Sequence, residues 1–151
     1  MDSEKYFVAE THSECETEKL GCSFASKLEA GDVIALCGDL GAGKTRFVCG
    51  LARGLGFTGE TSSPTFAIIN EYIGGRLPLY HFDMYRISGW DDLETTGYFE
   101  YLEAGGVLAV EWSENIAAAL PEKYIKVTVE KTGENDRRIT AEVSVNEDFV
   151  G

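Results

Sequence analysis

The sequence has no run of about eighteen apolar residues, so no segment is long enough to span a bilayer as a helix. Its first residues, Met1-Asp2-Ser3-Glu4-Lys5, lack the basic-then-apolar order of an export signal, and a cytoplasmic protein is expected. Cysteine is sparse. Cys15, Cys22, Cys37 and Cys49 lie too far apart for a C-x-x-C pair, which argues against a zinc ribbon or a redox couple. Two of them fall in segments that read as buried strand or helix, and all four are expected to be reduced structural thiols. Basic residues are also short: 13 Lys and Arg face 26 Asp and Glu, so the net charge of −13 sets up a field that repels polyanions. Tight direct binding of naked RNA or DNA is therefore not expected. Proline-, glycine- or serine-rich linkers and internal repeats are missing as well, and residues 1–151 are read as one domain. At 44% hydrophobic content a chain of this size can bury a core without disulfides or metals.

Periodicity supplies the organisation. Tyr6-Phe7-Val8 reads as a short strand, and Ser13-Glu14-Cys15-Glu16 has the Ser-x-x-Glu spacing of a capping box. Leu20, Phe24 and Leu28 share one face of the helix that follows, and Gly31 suits its end. Val33 to Cys37 is a continuous apolar run typical of a strand buried on both faces. Phe47, Val48, Leu51 and Leu55 recur at helical spacing before a stop at Gly56. Phe66 to Ile73 and Leu77 to Phe82 read as an antiparallel hairpin around Gly74-Gly75-Arg76. Asp91 to Tyr101 is helical in pieces interrupted by Gly97, Val107 to Val110 is a second buried strand, and Ser113 to Leu120 is a short helix. Lys123 to Lys131 and Arg137 to Val145 alternate around Gly133-Glu134-Asn135-Asp136, as in a hairpin with one wet face. The expected fold is an α/β sandwich with a small mixed sheet and antiparallel hairpin elements.

Between the first buried strand and its helix lies Gly38-Asp39-Leu40-Gly41-Ala42-Gly43-Lys44-Thr45, which satisfies G-x-x-x-x-G-K-[ST]. Glycines let the backbone wrap closely with its amides inward, and the helix N-terminus adds a field that favours anions. Lys44 can reach β- and γ-phosphates, and the Thr45 hydroxyl can ligate magnesium. Average composition produces this pattern by accident in roughly one such chain in a few hundred. The flanking strand and amphipathic helix are the context that confirms it, so a nucleoside triphosphate with Mg2+ is the expected ligand.

Such a loop needs a further acid for the metal or its water, usually at a neighbouring strand end. Two fit: Glu111 closes Val107-Leu108-Ala109-Val110, and Asp83 closes Leu79-Tyr80-His81-Phe82. Trp112 suits either a base-stacking role or a place in the core. His81 reads as a satisfied strand histidine, because phosphoryl transfer needs positioning and charge more than proton abstraction. Thr65, in the polar loop Ser62-Ser63-Pro64-Thr65-Phe66, would sense a γ-phosphate if it faces one.

Together the phosphate loop, Ser63-Pro64-Thr65-Phe66, His81-Phe82-Asp83-Met84-Tyr85-Arg86 and Glu111-Trp112 resemble, in order and spacing, the bacterial TsaE family. These are P-loop ATPases required to make threonylcarbamoyladenosine in tRNA. The resemblance runs from about Ser13 to Trp112 and more loosely through the last hairpin. It implies a P-loop NTPase-like three-layer sandwich, with Lys44 as the phosphate lysine, Thr45 and Glu111 on Mg2+, and Asp83 near the γ-phosphate, its attacking water or the metal. It places Trp112 at the nucleotide, Thr65 on a nucleotide-responsive loop, and Ser13 and Asn135 close to the nucleoside. The nucleotide-binding set it implies is then Ser13, Gly38, Asp39, Gly41, Ala42, Gly43, Lys44, Thr45, Arg46, Trp112 and Asn135. Arg46 stands where relatives often carry a second Thr.

The implied partners are the TsaD and TsaB proteins, with ATP hydrolysis driving or resetting their complex. An acidic ATPase would act on such a pathway through protein surfaces and not through tight tRNA contacts. Two other readings share the loop. A small-molecule kinase would need an acceptor pocket and an arginine-bearing lid, and no lid-like insertion is visible. A nucleotide-gated interaction subunit would bind ATP with hydrolysis incidental.

Overall fold

Successive side chains of a strand point to opposite faces, so the continuous apolar runs of the central strands present an apolar row to each side of a sheet. The computed structural model describes residues 5–38, 43–59, 69–147 and 149. Its strands are β1 (Lys5–Thr11), β2 (Val33–Gly38), β3 (Ile69–Tyr72), β4 (Leu79–Asp83), β5 (Val107–Glu111), β6 (Lys123–Lys131) and β7 (Arg137–Val145). Its α-helices are α1 (Glu14–Phe24), α2 (Lys44–Gly54), α3 (Trp90–Thr95) and α4 (Tyr98–Leu102). The strands form one sheet in the order β1-β7-β6-β2-β5-β4-β3. Neighbours among β6, β2, β5 and β4 run parallel, while β1 on β7, β7 on β6 and β3 on β4 are antiparallel, so the sheet is mixed.

Ile34 and Leu36 of β2, Val107 and Ala109 of β5, and Val127 and Val129 of β6 face α1 and α2, where Phe24, Phe47, Val48 and Leu51 cover them. The intervening residues Val33, Leu108, Val110, Tyr80 and Phe82 face the other way, onto Leu93, Tyr98, Ile116 and Ala119. Two helical layers therefore enclose the sheet in an α/β sandwich. Among the described residues no helix is long and apolar enough to cross a membrane.

Helices α1 and α2 touch through backbone. A Cβ added at Gly50 would collide with the Glu18 carbonyl, and one at Gly21 with that of Phe47. Arg46 pairs with Glu14 at 3.3 Å and with Glu18 at 3.4 Å along the rim. Contact this close fixes where α2 begins, and so where its first amides point.

Several expectations are adjusted. The strand expected over Phe66 to Ile73 is β3 at Ile69–Tyr72, its earlier residues lying outside those described, and its partner ends one residue later, at Asp83. Ser113–Ala119 is a 3-10 segment broken at Ile116 (φ −130°, ψ 29°). It bends because Ile116 packs inward while the Asn115 side-chain amide donates to the Met84 and Tyr85 carbonyls at 2.9 and 3.2 Å. Cys15 and Cys22 sit on the solvent side of α1 and are exposed, so only Cys37 and Cys49 are enclosed by structure; all four are free thiols.

Candidate functional site

The C-terminal ends of the parallel strands meet the N-terminus of α2, the position where an open α/β sheet binds ligands. β2 ends at Gly38, packed so tightly on β6 that a Cβ there would collide with the Val129 carbonyl. α2 starts at Lys44, capped by Gly43 at φ 102°, a left-handed geometry that other residues adopt at a cost. With no acid in its first turn, α2 directs unneutralised amides and the positive end of its dipole at the loop. Asp39, Leu40, Gly41 and Ala42, as well as Thr65, lie outside the described residues.

Lys44 Nζ donates to the Gly38 carbonyl at 3.0 Å and stands 4.0 Å from Glu111 Oε1. Glu111 arrives from β5, which runs parallel beside β2 with Leu36 and Glu111 in register. Its second oxygen, Oε2, lies 2.6 Å from Nε2 of His81. Burial pushes the Glu111 carboxyl upward, but the hydrogen bond and charge of His81 and the ammonium of Lys44 outweigh it and hold the group below its ordinary value. Glu111 is thus an ionised acid at the mouth of the site, with only 15% of its side chain exposed.

Asp83 is in register with Glu111 across β4 and β5, so the two acids end adjacent parallel strands on the α2 face. Oδ1 of Asp83 accepts from the Tyr85 amide at 3.0 Å, which fixes the turn leaving the strand. Trp112, directly after Glu111, takes φ 59° and is the single non-glycine residue with positive φ among those described. For a bulky side chain this costs on the order of 1–3 kcal/mol, and such outliers cluster at functional sites. Its ring lies 4.8 Å from that of Tyr85 and remains 39% exposed. A cavity of about 390 Å³ opens beside Lys44, walled by Cys37, Gly38, Trp112, Glu114, Tyr124 and Lys126.

A second group lies on the β6–β7 side. Ser13 caps α1, its Oγ accepting from the Glu16 amide at 3.1 Å, and His12 Nδ1 lies 2.8 Å from Asp136 Oδ1. That contact ties the start of α1 to the turn holding Asn135. Arg137, whose guanidinium donates to the carbonyls of Gly133, Glu134 and Asp136, is also the neighbour nearest a Cβ built on Gly43. These contacts link the start of α1 and the 133–136 turn to one another, and Arg137 links that turn to Gly43. Arg46 is turned onto α1 by its pairs with Glu14 and Glu18.

Sequence reasoning passed over His12 and Arg137, and it read His81 as a satisfied strand histidine, whereas its Nε2 meets Glu111 and its Nδ1 has no partner among the described residues. His81 stands inside the His-x-Asp-x-Tyr-Arg block, but only three-dimensional register shows that it reaches Glu111. His12 and Arg137 carry no local motif, and their roles come from pairings between segments far apart in the chain.

Comparison with known proteins follows this geometry. Residues 11–139 match the family described as "Threonylcarbamoyl adenosine biosynthesis protein TsaE". A Bacillus subtilis protein named tRNA threonylcarbamoyladenosine biosynthesis protein TsaE is 45% identical over 125 residues, covering 83% of this chain and 78% of the relative. A Treponema pallidum protein of the same name is 41% identical, covering 83% of this chain and 92% of the relative. The crystal structure of Bacillus subtilis YdiB superposes with a TM-score of 0.78 at 36% identity, over 99% of this chain and 91% of that one.

Proposed function

Because the chain belongs to the TsaE family, we propose that it is the ATPase component of tRNA threonylcarbamoyladenosine biosynthesis, binding Mg2+ and ATP at the ends of β2, β4 and β5. One observation carries the reading: Lys44, Glu111 and Asp83, from three separate elements, converge beside the N-terminus of α2.

The loop from Gly38 to Thr45 cradles the triphosphate, its amides and the α2 dipole favouring the anion. Lys44 exchanges the Gly38 carbonyl for β- and γ-phosphate oxygens. Magnesium fits the donors present. Among the described residues no cluster of three or more His, Cys, Asp or Glu forms a cage, and Mg2+ at a nucleotide characteristically takes one or two carboxylates together with phosphate oxygens and water. Glu111 and the Thr45 hydroxyl are its protein ligands, hard oxygens on adjoining elements. When bound, the ion would neutralise phosphate charge. Asp83, one strand further out, orients the attacking water or the metal's hydration. Trp112 borders the nucleotide, while Ser13 and Asn135 border the nucleoside edge.

Turnover by the isolated chain is slow. Among the described residues Lys44 is the one Lys or Arg that ion-pairs with Glu111, while Arg46, Arg53 and Arg138 are paired with acids elsewhere. Arg76 is committed to the carbonyls of Ala25 and Leu28. A stimulated NTPase commonly lacks a complete water-positioning or charge-stabilising set until a partner supplies it. The partners are TsaD and TsaB, engaged through protein surfaces, since a chain of net charge −13 is a poor direct ligand for tRNA.

The test is Asp83→Ala in a reconstituted modification system. ATP affinity is retained and threonylcarbamoyladenosine formation is lost; full modification by this variant would leave hydrolysis incidental and refute the proposal.

A further inference from the structure

His81 has no solvent exposure and lies in β4 on the same sheet face as Leu79, opposite Ala109 of β5. An imidazole there costs desolvation that an aliphatic residue would avoid, and the cost is only half offset: Nδ1 is the buried side-chain polar atom without a hydrogen-bond partner among the described residues. What it obtains is a single bond, Nε2 to Glu111 Oε2 at 2.6 Å. An ionised carboxylate only accepts, so Nε2 is the donor of this bond. Register explains the reach. Ala109 stands directly across from His81, and its methyl group leaves room for the ring to lean along the sheet toward Glu111, two residues further on.

We propose that His81 is the positioning residue for Glu111, tying down Oε2 so that Oε1 is presented on the Lys44 side, where phosphate and divalent cation bind. The inference deepens the function proposed above and rests on Glu111 being the magnesium acid. A carboxylate at the mouth of a cleft would otherwise sample several rotamers; one oxygen fixed by a buried donor leaves the other aimed. Oε1 is the oxygen nearer Lys44, at 4.0 Å, as this division of labour requires.

The experiment compares ADP affinity with Mg2+ and with EDTA, and Mn2+ binding to the ADP complex by electron paramagnetic resonance, in wild type, His81→Leu and His81→Gln. Loss of an outer-shell partner characteristically weakens metal binding about 10- to 100-fold. His81→Leu is expected to lose that much Mn2+ affinity, with metal-free ADP affinity within about twofold of wild type. His81→Gln, which keeps an N–H donor, recovers most of it. Unchanged Mn2+ affinity in His81→Leu, or equal losses with and without metal, overturns the inference. Should His81→Leu fail to fold, nitrogen-15 spectra of the wild-type imidazole decide: protonation at Nε2 that is disturbed in Glu111→Ala supports the tie, and a bare, unprotonated Nε2 contradicts it. If wild type shows no effect of Mg2+ on ADP binding, the function proposed above fails first and the inference falls with it.

Discussion

Replacing Glu111 by Gln preserves size and tests the site's charge, because the two carboxylate oxygens face two donors, His81 Nε2 at 2.6 Å and the Lys44 ammonium at 4.0 Å. A glutamine has one oxygen and one NH2, so at most one of the two donors keeps its acceptor unless the imidazole changes tautomer. If the oxygen stays with His81, a charge-assisted bond becomes a neutral one of about half the strength and the attraction to Lys44 is lost. If it turns to Lys44, the charge-assisted bond from His81 is lost and the imidazole must shift its proton to Nδ1 to accept from the new NH2. Either arrangement costs about 1–3 kcal/mol, which in a chain of this length lowers Tm by roughly 2–4 °C per kcal/mol. The pH dependence carries its own sign. The folded carboxyl titrates below its ordinary value of 4.5, so the unfolded chain takes up protons first. The stabilisation is therefore complete above about 4.5 and is lost as pH falls through the lower folded value. Thermal melts of both proteins, followed by circular dichroism, are expected to differ most at pH 7 and to converge under acid. A gap that stays constant down through the acid range would refute the argument that the Glu111 charge is held by His81 and Lys44.

Three further outcomes follow from other parts of the molecule. His12 is raised above its ordinary 6.5 by its hydrogen bond and charge contact with Asp136, so the stabilisation is full below 6.5 and fades as pH rises through the folded value. Proton NMR titration should show the raised midpoint in wild type and its return toward 6.5 in Asp136→Asn; a midpoint indifferent to that change contradicts the contact. Gly50→Ala forces a methyl group into the Glu18 carbonyl and is expected to cost about 1–3 kcal/mol by denaturant unfolding, whereas a neutral result would mean that α1 and α2 are not in backbone contact. A thiol reagent at neutral pH should label Cys15 and Cys22 quickly, Cys37 slowly because burial pushes its thiol up, and Cys49 only on unfolding. Fast labelling of Cys49 would place α2 differently.

Much of the fold was legible because its signals are local. The five-residue apolar run before Gly38 and the Phe47, Val48, Leu51 spacing after Thr45 each report burial within one element, and both elements formed where expected. The reading weakened where long-range geometry decides. Cys15 and Cys22 lie in a helix whose apolar face was recognised, yet which side of it faces solvent depends on the fit of Gly21 and Gly50 against α2. The 113–119 segment is apolar enough for an α-helix, but Trp112 enters it in the left-handed region and Asn115 is bound to the 84–85 turn. In the site, Lys44, Asp83 and Glu111 were readable as a loop lysine and strand-end acids. His81 was not, since a strand histidine looks the same in sequence whether it meets a carboxylate or nothing, and only the β4–β5 register brings it to Glu111.

Phosphate release decides whether this chain hydrolyses ATP on behalf of a protein complex. Purified protein is assayed with Mg2+ and ATP, alone and with TsaD and TsaB, beside Lys44→Ala. Slow release that rises with the partners and vanishes in the variant is the predicted result. Release that the partners leave unchanged, or that survives the loss of Lys44, would contradict it.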